Sequence, residues 1–137
     1  MWILYAFLAA FFAALTAILS RLGLEGVNSN LATAIRTVVV LFMAWAIVMA
    51  TGVWREIPNV ATRSWIFLGL SGIATGASWL FFMAALQRGD VSRVVPIDKF
   101  SVVITMVLAF IILGDTITAK TIIGGLLITA GTLVLVF

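Results

Sequence analysis

The chain has 137 residues, of which 64% are hydrophobic and 9% charged, with eight Lys and Arg against five Asp and Glu. A typical soluble domain is about half apolar and about a quarter charged, so the residues that would cover a core with polar surface are missing here. The absence of Cys and His excludes disulfides and the usual zinc and haem ligands, and no cofactor is expected. The charges are scattered singly, so nucleic-acid binding is not indicated.

Charges and turn residues divide the sequence into five apolar stretches, each with roughly the 20 residues that a helix needs to cross about 30 Å of hydrocarbon. The stretches cover residues 2–20, 30–51, 64–86, 94–114 and 118–137. The connectors are short, so consecutive helices should be antiparallel neighbours in a bundle. The sequence therefore predicts an all-α, multi-pass protein of the cell membrane with a single transmembrane domain over residues 1–137. The first stretch lacks the basic start of a signal peptide, and we interpret it as a spanning helix.

The positive charges in the connectors decide the orientation only weakly, because each face of the membrane receives three of them. They are Arg55, Arg63 and Lys120 on the face that carries the N-terminus, and Arg21, Arg88 and Arg93 on the other. Lys99 shares a helix face with apolar residues, so we expect its long side chain to snorkel toward the second face. Arg36 also lies just inside a helix that starts on the second face, and outward snorkelling of both residues would bias that face toward the cytoplasm.

Polar residues follow one face of three predicted helices at spacings of three and four. These stripes comprise Tyr5, Thr16 and Ser20 in the first helix, Ser71, Thr75 and Ser78 beside Trp79 in the third, and Asp98, Ser101 and Thr105 in the fourth. Two interpretations stay open: small and hydroxylated residues let helices pack closely, and they also line polar cavities. The pattern Gly72-x-x-x-Gly76 favours packing for the glycines of the third helix.

Two charges of opposite sign lie inside predicted helices. Arg36 and Asp98 are each about 7 to 10 Å along a helix that starts on the same membrane face, so the two side chains could pair. A charge at that depth is costly and marks a functional site by default, although a structural ion pair would explain both residues equally well. Pro96 is expected in the first turn of the fourth helix, where proline is common.

Residues 84–101, with the sequence AALQRGDVSRVVPIDKFS, precede LGDTIT at residues 113–118 and a last helix that contains glycines. This segment resembles the EamA-type domain of the drug/metabolite transporter superfamily, and the resemblance extends over essentially the whole chain. Most members join two five-helix units, so this sequence resembles the short bacterial and archaeal branch. Asp115 stands where the family usually has Glu.

The resemblance implies secondary transport of a small organic solute, either a metabolite or a drug-like compound. Alternating access generally requires two halves, so a homodimer or a heterodimer with a similar chain in the lipid bilayer is expected. The candidate residues for solute binding or ion coupling are Arg36, Asp98, Ser101, Thr105, Ser71, Thr75, Ser78 and Trp79. The alternatives are a flippase for a lipid-linked substrate and a non-transporting membrane subunit. Without His, Cys or paired carboxylates, an enzyme is not expected.

Overall fold

The computed structural model describes all 137 residues, and every element in it is a helix. Five helices are long and apolar enough to cross a membrane. They are α1 (Trp2–Gly23), α2 (Ser29–Thr51), α3 (Thr62–Arg88), α4 (Val91–Leu113) and α5 (Ala119–Val136). The predicted all-α membrane architecture is confirmed. The helices α1, α3 and α4 extend two to three residues beyond the predicted apolar stretches at one or both ends, because their terminal turns contain polar residues that can reach the membrane surface.

The ends of α2 and α5 follow ordinary capping chemistry. The Asn28 side-chain oxygen accepts a hydrogen bond from the Asn30 backbone N–H at 2.9 Å, and the Thr118 hydroxyl accepts one from the Thr121 N–H at 3.2 Å. Both residue types are favoured at this position because they satisfy an N–H group that the helix leaves unpaired. Gly52, with a φ of 73°, ends α2 in the left-handed conformation that glycine adopts most easily.

The connector between α2 and α3 contains a short 3₁₀ helix, Val53–Asn59, that the sequence analysis did not predict. The Arg55 guanidinium in this helix lies over the Trp54 ring at 5.5 Å from the centroid. Pro58 also lies in it. Short 3₁₀ turns are common connectors because they need few residues.

The chain divides into two compact units. We call Leu19–Gln87 the central unit, and Met1–Ile18 together with Arg88–Phe137 the terminal unit. The division concerns packing within each unit, and the single domain over residues 1–137 stays a prediction.

Few side chains are buried, as expected when most of each helix faces lipid. In the central unit the buried residues all lie where α1 ends, α2 begins and α3 ends. They are Ser20, Leu24, Ser29, Thr33, Met83 and Leu86, of which Leu86 is fully buried. The central unit is therefore closed at one end, while the residues around the other ends of α2 and α3 are exposed.

Helix α4 is interrupted at Phe100, which divides it into Val91–Lys99 and a second part that starts at Ser101. The first turn begins at Val91, so the placement of Pro96 in the first turn was wrong; this proline lies in the second turn. A proline there removes one helical hydrogen bond and crowds the preceding turn, which favours a kink. The Phe100 N–H bonds to the Ile97 carbonyl at 3.0 Å in a tight turn.

The second part of α4 ends in a π-helical segment, Ala109–Leu113. Gly114 follows it with a φ of 70°, and its N–H bonds to the Ala109 carbonyl. The wider turn changes the direction of the side chains before the loop to α5. π-helical turns occur often at functional sites because they displace the regular helical register.

Candidate functional site

The central unit holds a charged cluster that we call the arginine cradle: Arg36, Trp79 and Ser20. The Arg36 Cζ lies 4.5 Å from the centroid of the Trp79 ring, which is within the range of a cation–π interaction. The Arg36 Nη1 donates a hydrogen bond to the Ser20 hydroxyl at 3.4 Å. The structure therefore brings two of the predicted candidates, Arg36 and Trp79, into contact and adds Ser20 to them.

The three residues of the cradle come from three helices whose ends alternate across the membrane. Ser20 is in the last turn of α1, Arg36 is about 10 Å from the start of α2, and Trp79 is about 13 Å from the end of α3. Because α1 ends, α2 begins and α3 ends on the same face, all three residues lie within about 13 Å of these helix ends.

The Arg36 guanidinium has more hydrogen-bond donors than partners. A guanidinium carries five N–H groups, and the hydroxyl of Ser20 accepts from one of its nitrogens. The Nε of Arg36 is buried and has no hydrogen-bond partner. No carboxylate of the central unit lies within salt-bridge distance of Arg36. Its pairing with Asp98, which belongs to the terminal unit, stays a prediction.

A second contact, which we call the backbone latch, joins polar side chains to backbone carbonyls at the same end of the central unit. The Arg21 Nη1 donates to the Leu86 carbonyl at 2.6 Å, and the Gln87 Nε2 donates to the Val27 carbonyl at 2.8 Å. The last carbonyls of a helix have no partner within it, and they favour a nearby positive charge. Arg21 therefore stabilises the end of α3. From the sequence, Arg21 is expected only as a loop charge.

The polar stripe of α3 does not join the cradle apart from Trp79. Ser71, Thr75 and Ser78 are exposed, and the Thr75 hydroxyl donates to the Ser71 carbonyl of its own helix at 2.8 Å. A hydroxyl bonded in this way needs no other partner. Packing against a neighbour and lining a cavity both stay predictions for this stripe.

The terminal unit contains a cavity of about 370 Å³ between α4, the loop after it and the start of α5. We call it the hydroxyl cavity, because its polar lining residues are Ser101, Thr105, Asp115, Thr116 and Thr121. Its remaining lining is apolar and includes Met106 and Phe110. Two of the predicted candidates, Ser101 and Thr105, thus line one cavity together with a carboxylate.

The hydroxyls of Ser101 and Thr105 make no hydrogen bond within the protein, unlike most threonine hydroxyls in this chain. Thr16, Thr33, Thr37, Thr51, Thr75 and Thr129 all donate to a carbonyl three or four residues earlier. A threonine within a helix usually satisfies its hydroxyl in this way. The Ser101 and Thr105 hydroxyls thus remain available to a molecule in the cavity.

Sequence reasoning missed Asp115, Thr116 and Thr121 as cavity residues. The motif LGDTIT supplies Asp115 and Thr116 directly after α4, so the signal for these two was present, whereas Thr121 lies beyond the motif in α5. What could not be read from the motif is the π-helical turn before it, since that turn decides which residues face Ser101 and Thr105.

Asp98 lies on the same face of α4 as Ser101, one turn earlier, but it does not line the hydroxyl cavity. Its carboxylate pairs with the Lys99 Nζ at 3.6 Å. The Lys99 side chain is 55% exposed and that of Asp98 is 37% exposed, so the ion pair is only partly shielded. The snorkelling of Lys99 toward the membrane surface stays a prediction. The structure holds no group of His, Cys, Asp or Glu side chains that could bind a metal ion.

Comparison with known proteins agrees with this architecture. The model of the EamA-like transporter family matches residues 1–137. A protein of Sinorhizobium sp described as an uncharacterized transporter in the cobO 3'region is 46% identical over 134 residues, which cover 98% of this chain and 95% of that protein. No solved structure matches the chain. The chain therefore belongs to the EamA-like transporter family, whose members in bacteria are multi-pass proteins of the inner membrane.

Proposed function

We propose that this chain transports a small organic solute, a metabolite or a drug-like compound, and that two five-helix units together form the complete transporter. The hydroxyl cavity carries the proposal. It offers a carboxylate, Asp115, and the unpaired hydroxyls of Ser101 and Thr105 between helices that are otherwise apolar. Polar groups in a membrane segment are costly, and they commonly mark the path of a solute. A cavity of this size suits part of a small organic molecule.

The glycine face of α3 supports a dimer. A Cβ atom added at Gly72 or Gly76 would meet no atom of the chain within 4 Å, so this face is open within one copy. Small residues at that spacing let a second helix approach closely. Five helices correspond to one half of the usual repeat pair of such transporters, and the second half would come from another copy or from a similar chain.

Uptake by the purified protein in liposomes tests the transport function. A panel of radiolabelled amino acids, nucleosides, organic acids and organic amines is offered in turn, with empty liposomes as the blank. The variant Thr105→Val keeps the side-chain shape and removes one cavity hydroxyl, so uptake should fall about tenfold, or about 1.4 kcal/mol. Thr51→Val is the matched control, because the Thr51 hydroxyl bonds to its own helix outside the cavity. If no compound of the panel enters above the blank, the non-transporting subunit becomes the better interpretation.

Crosslinking in native membranes tests the dimer. Gly72→Leu should reduce the crosslinked species by a factor of about ten, because bulk disrupts a contact that needs close approach. Ala74→Leu is the control, since position 74 lies about 200° around the helix from position 72. A chain that is monomeric without any substitution would refute the paired-unit model.

A flippase for a lipid-linked substrate is the second candidate. The depth of Arg36, about 10 Å along α2, favours it, because this depth is close to one headgroup layer. The flippase function predicts that a fluorescent lipid changes leaflets only in liposomes that contain the protein. A soluble-solute transporter would leave the lipid distribution unchanged.

A further inference from the structure

We infer that the arginine cradle binds an anionic group, a carboxylate or a phosphate, on the molecule that the protein moves. The inference rests on the proposed transport function and adds to it the charge of the substrate. It does not involve the hydroxyl cavity, which lies in the other unit. The observations that support it are the unsatisfied donors of Arg36, the absence of a nearby acid in its unit, and the position of Trp79.

The donor count of Arg36 favours an acceptor with two oxygens. Of five N–H groups, the structure engages one nitrogen with Ser20, at the long distance of 3.4 Å, and leaves the buried Nε without a partner. A buried donor without an acceptor is unfavourable, and more so when it is charged. Carboxylates and phosphates accept two parallel bonds from a guanidinium, and here the Nη groups of Arg36 would donate both bonds, since the buried Nε cannot be reached.

The charge balance of the central unit leads to the same class of ligand. Its two acids, Glu25 and Glu56, lie in the connectors on either side of α2, and neither forms a salt bridge with Arg36. A guanidinium stays protonated in proteins, so Arg36 keeps its charge about 10 Å into the membrane segment. A ligand with a negative group supplies the counter-charge that this unit lacks.

Trp79 determines how the guanidinium is presented. With its Cζ 4.5 Å from the ring centroid, Arg36 is held over the indole while its in-plane N–H groups can still point to a ligand. The same arrangement disfavours an organic cation, because the positive guanidinium already occupies the ring. The cradle should therefore select anions over neutral and cationic molecules of equal shape.

Equilibrium dialysis of the purified full-length chain in phosphate-free detergent tests this selection. The probes are radiolabelled benzoate and phenyl phosphate, with benzamide as the neutral and benzylammonium as the cationic analogue. We expect at least one anion to bind about tenfold or more tightly than benzamide, and benzylammonium to bind no better than benzamide. Arg36→Gln should remove this preference. Arg55→Gln is the matched control, because it removes the exposed arginine over Trp54 and should leave the preference intact.

A second arm separates a soluble anion from a lipid phosphate. Dioleoylphosphatidylglycerol is added to the micelles, with dioleoylglycerol, which has no phosphate, as the control. If the phospholipid raises the thermal unfolding temperature and Arg36→Gln abolishes the effect, the anion is a lipid headgroup and the flippase alternative gains support. If benzoate or phenyl phosphate binds without lipid and depends on Arg36, the anion belongs to a soluble molecule. Arg36→Lys serves as a further variant, since it keeps the charge, loses the planar fork and should weaken anion binding about tenfold.

The inference is wrong if neither the soluble anions nor the phospholipid bind better than their uncharged analogues. It is equally wrong if Arg36→Gln and Arg36→Lys bind the anions as tightly as the unsubstituted chain. The proposed function would survive that result, because uptake of a cation or a neutral compound in liposomes is measured independently. Conversely, if anions bind through Arg36 but no compound enters the liposomes, the proposed transport function is wrong. The chain would then be an anion-binding membrane subunit.

Discussion

The two units use polar residues in different ways. In the central unit the polar contacts are made by long side chains near helix ends: Arg21 and Gln87 reach backbone carbonyls, and Arg36 reaches Trp79. In the terminal unit the polar lining consists of short side chains along a cavity, such as Ser101 and Thr105. Long cations can approach the membrane surface and the unpaired carbonyls of helix ends, whereas hydroxyls are tolerated at any depth because they can bond to their own helix.

The difference indicates a division of roles. The cradle has fixed charge and few partners, so it suits recognition of a charged group. The hydroxyl cavity has volume and neutral donors, and its single carboxylate, Asp115, lies at the end near the loop. Asp98, on the same helix as the cavity, is the carboxylate that lies within the membrane segment. If protons drive transport, the coupling should therefore depend on the terminal unit.

The largest expected effect concerns Asp98. Asp98→Asn should lower proton-driven uptake about 100-fold while the protein still folds, because the amide keeps the shape of the carboxyl group and much of its hydrogen bonding. Uptake in liposomes with an imposed pH gradient is the measurement. Asp90→Asn is the control, since Asp90 precedes α4 and its side chain makes no capping hydrogen bond.

The outcome would be different if Asp115 carries the proton. In that case Asp115→Asn would lose the dependence on the pH gradient and Asp98→Asn would keep it. An unchanged pH profile in both variants would contradict proton coupling through either acid and leave the Asp98 to Lys99 contact as a surface ion pair, which is worth about 0 to 1 kcal/mol.

The five membrane spans were predictable from the sequence, and the candidate site only in part. Hydropathy alone located all five spans, because a run of about 20 apolar residues between charges rarely forms anything but a membrane-spanning helix. The contact between Arg36 and Trp79 could not be predicted. The angular position of a residue on its own helix does not say which neighbouring helix its side chain contacts. The interruption of α4 at Phe100 and the π-helical turn before Gly114 involve local backbone hydrogen bonds, from the Phe100 N–H to the Ile97 carbonyl and from the Gly114 N–H to the Ala109 carbonyl. No periodicity in the sequence reports them.

The second prediction concerns the backbone latch of the central unit. Arg21→Gln removes a charged donor from the Leu86 carbonyl and should lower the free energy of unfolding by about 1.5 to 3 kcal/mol, the range for a hydrogen bond that involves a charged group. Unfolding in mixed micelles with increasing dodecyl sulfate measures it. Arg63→Gln is the control, because Arg63 lies over the Phe67 ring at 5.5 Å at the other end of α3 and should change stability by less than about 1 kcal/mol. If both variants lose the same free energy of unfolding, the hydrogen bond from Arg21 to the Leu86 carbonyl adds no more stability than the contact of Arg63 does.

The third prediction tests whether the two units share a charge pair. If Arg36 and Asp98 pair as the sequence suggested, Arg36→Ala and Asp98→Ala should each destabilise the protein, and the double variant should recover about 1 kcal/mol relative to the sum. The same unfolding assay gives the coupling energy. In that case Asp98→Asn should also tighten benzoate binding, because the resident counter-charge is gone. Additive losses and an unchanged benzoate affinity would show that Arg36 acts without Asp98.

The smallest expected effect is that of Gly125→Ala in the terminal unit, with Gly114→Ala as its comparison. Gly125 is buried, and a Cβ there would lie 3.8 Å from the Met106 Sδ, which is an ordinary contact, so Gly125→Ala should fit. Because alanine favours a helix over glycine by about 0.5 to 1 kcal/mol, the variant should be equal to or slightly more stable than the unsubstituted chain. Gly114→Ala should be less stable by about 1 to 2 kcal/mol, since its φ of 70° is strained for alanine. Micellar unfolding of both variants measures the difference. A clear loss of stability for Gly125→Ala would mean that a helix of a second chain approaches Gly125 more closely than any atom of the same chain does. In that case α5, and not α3, would form the predicted dimer contact.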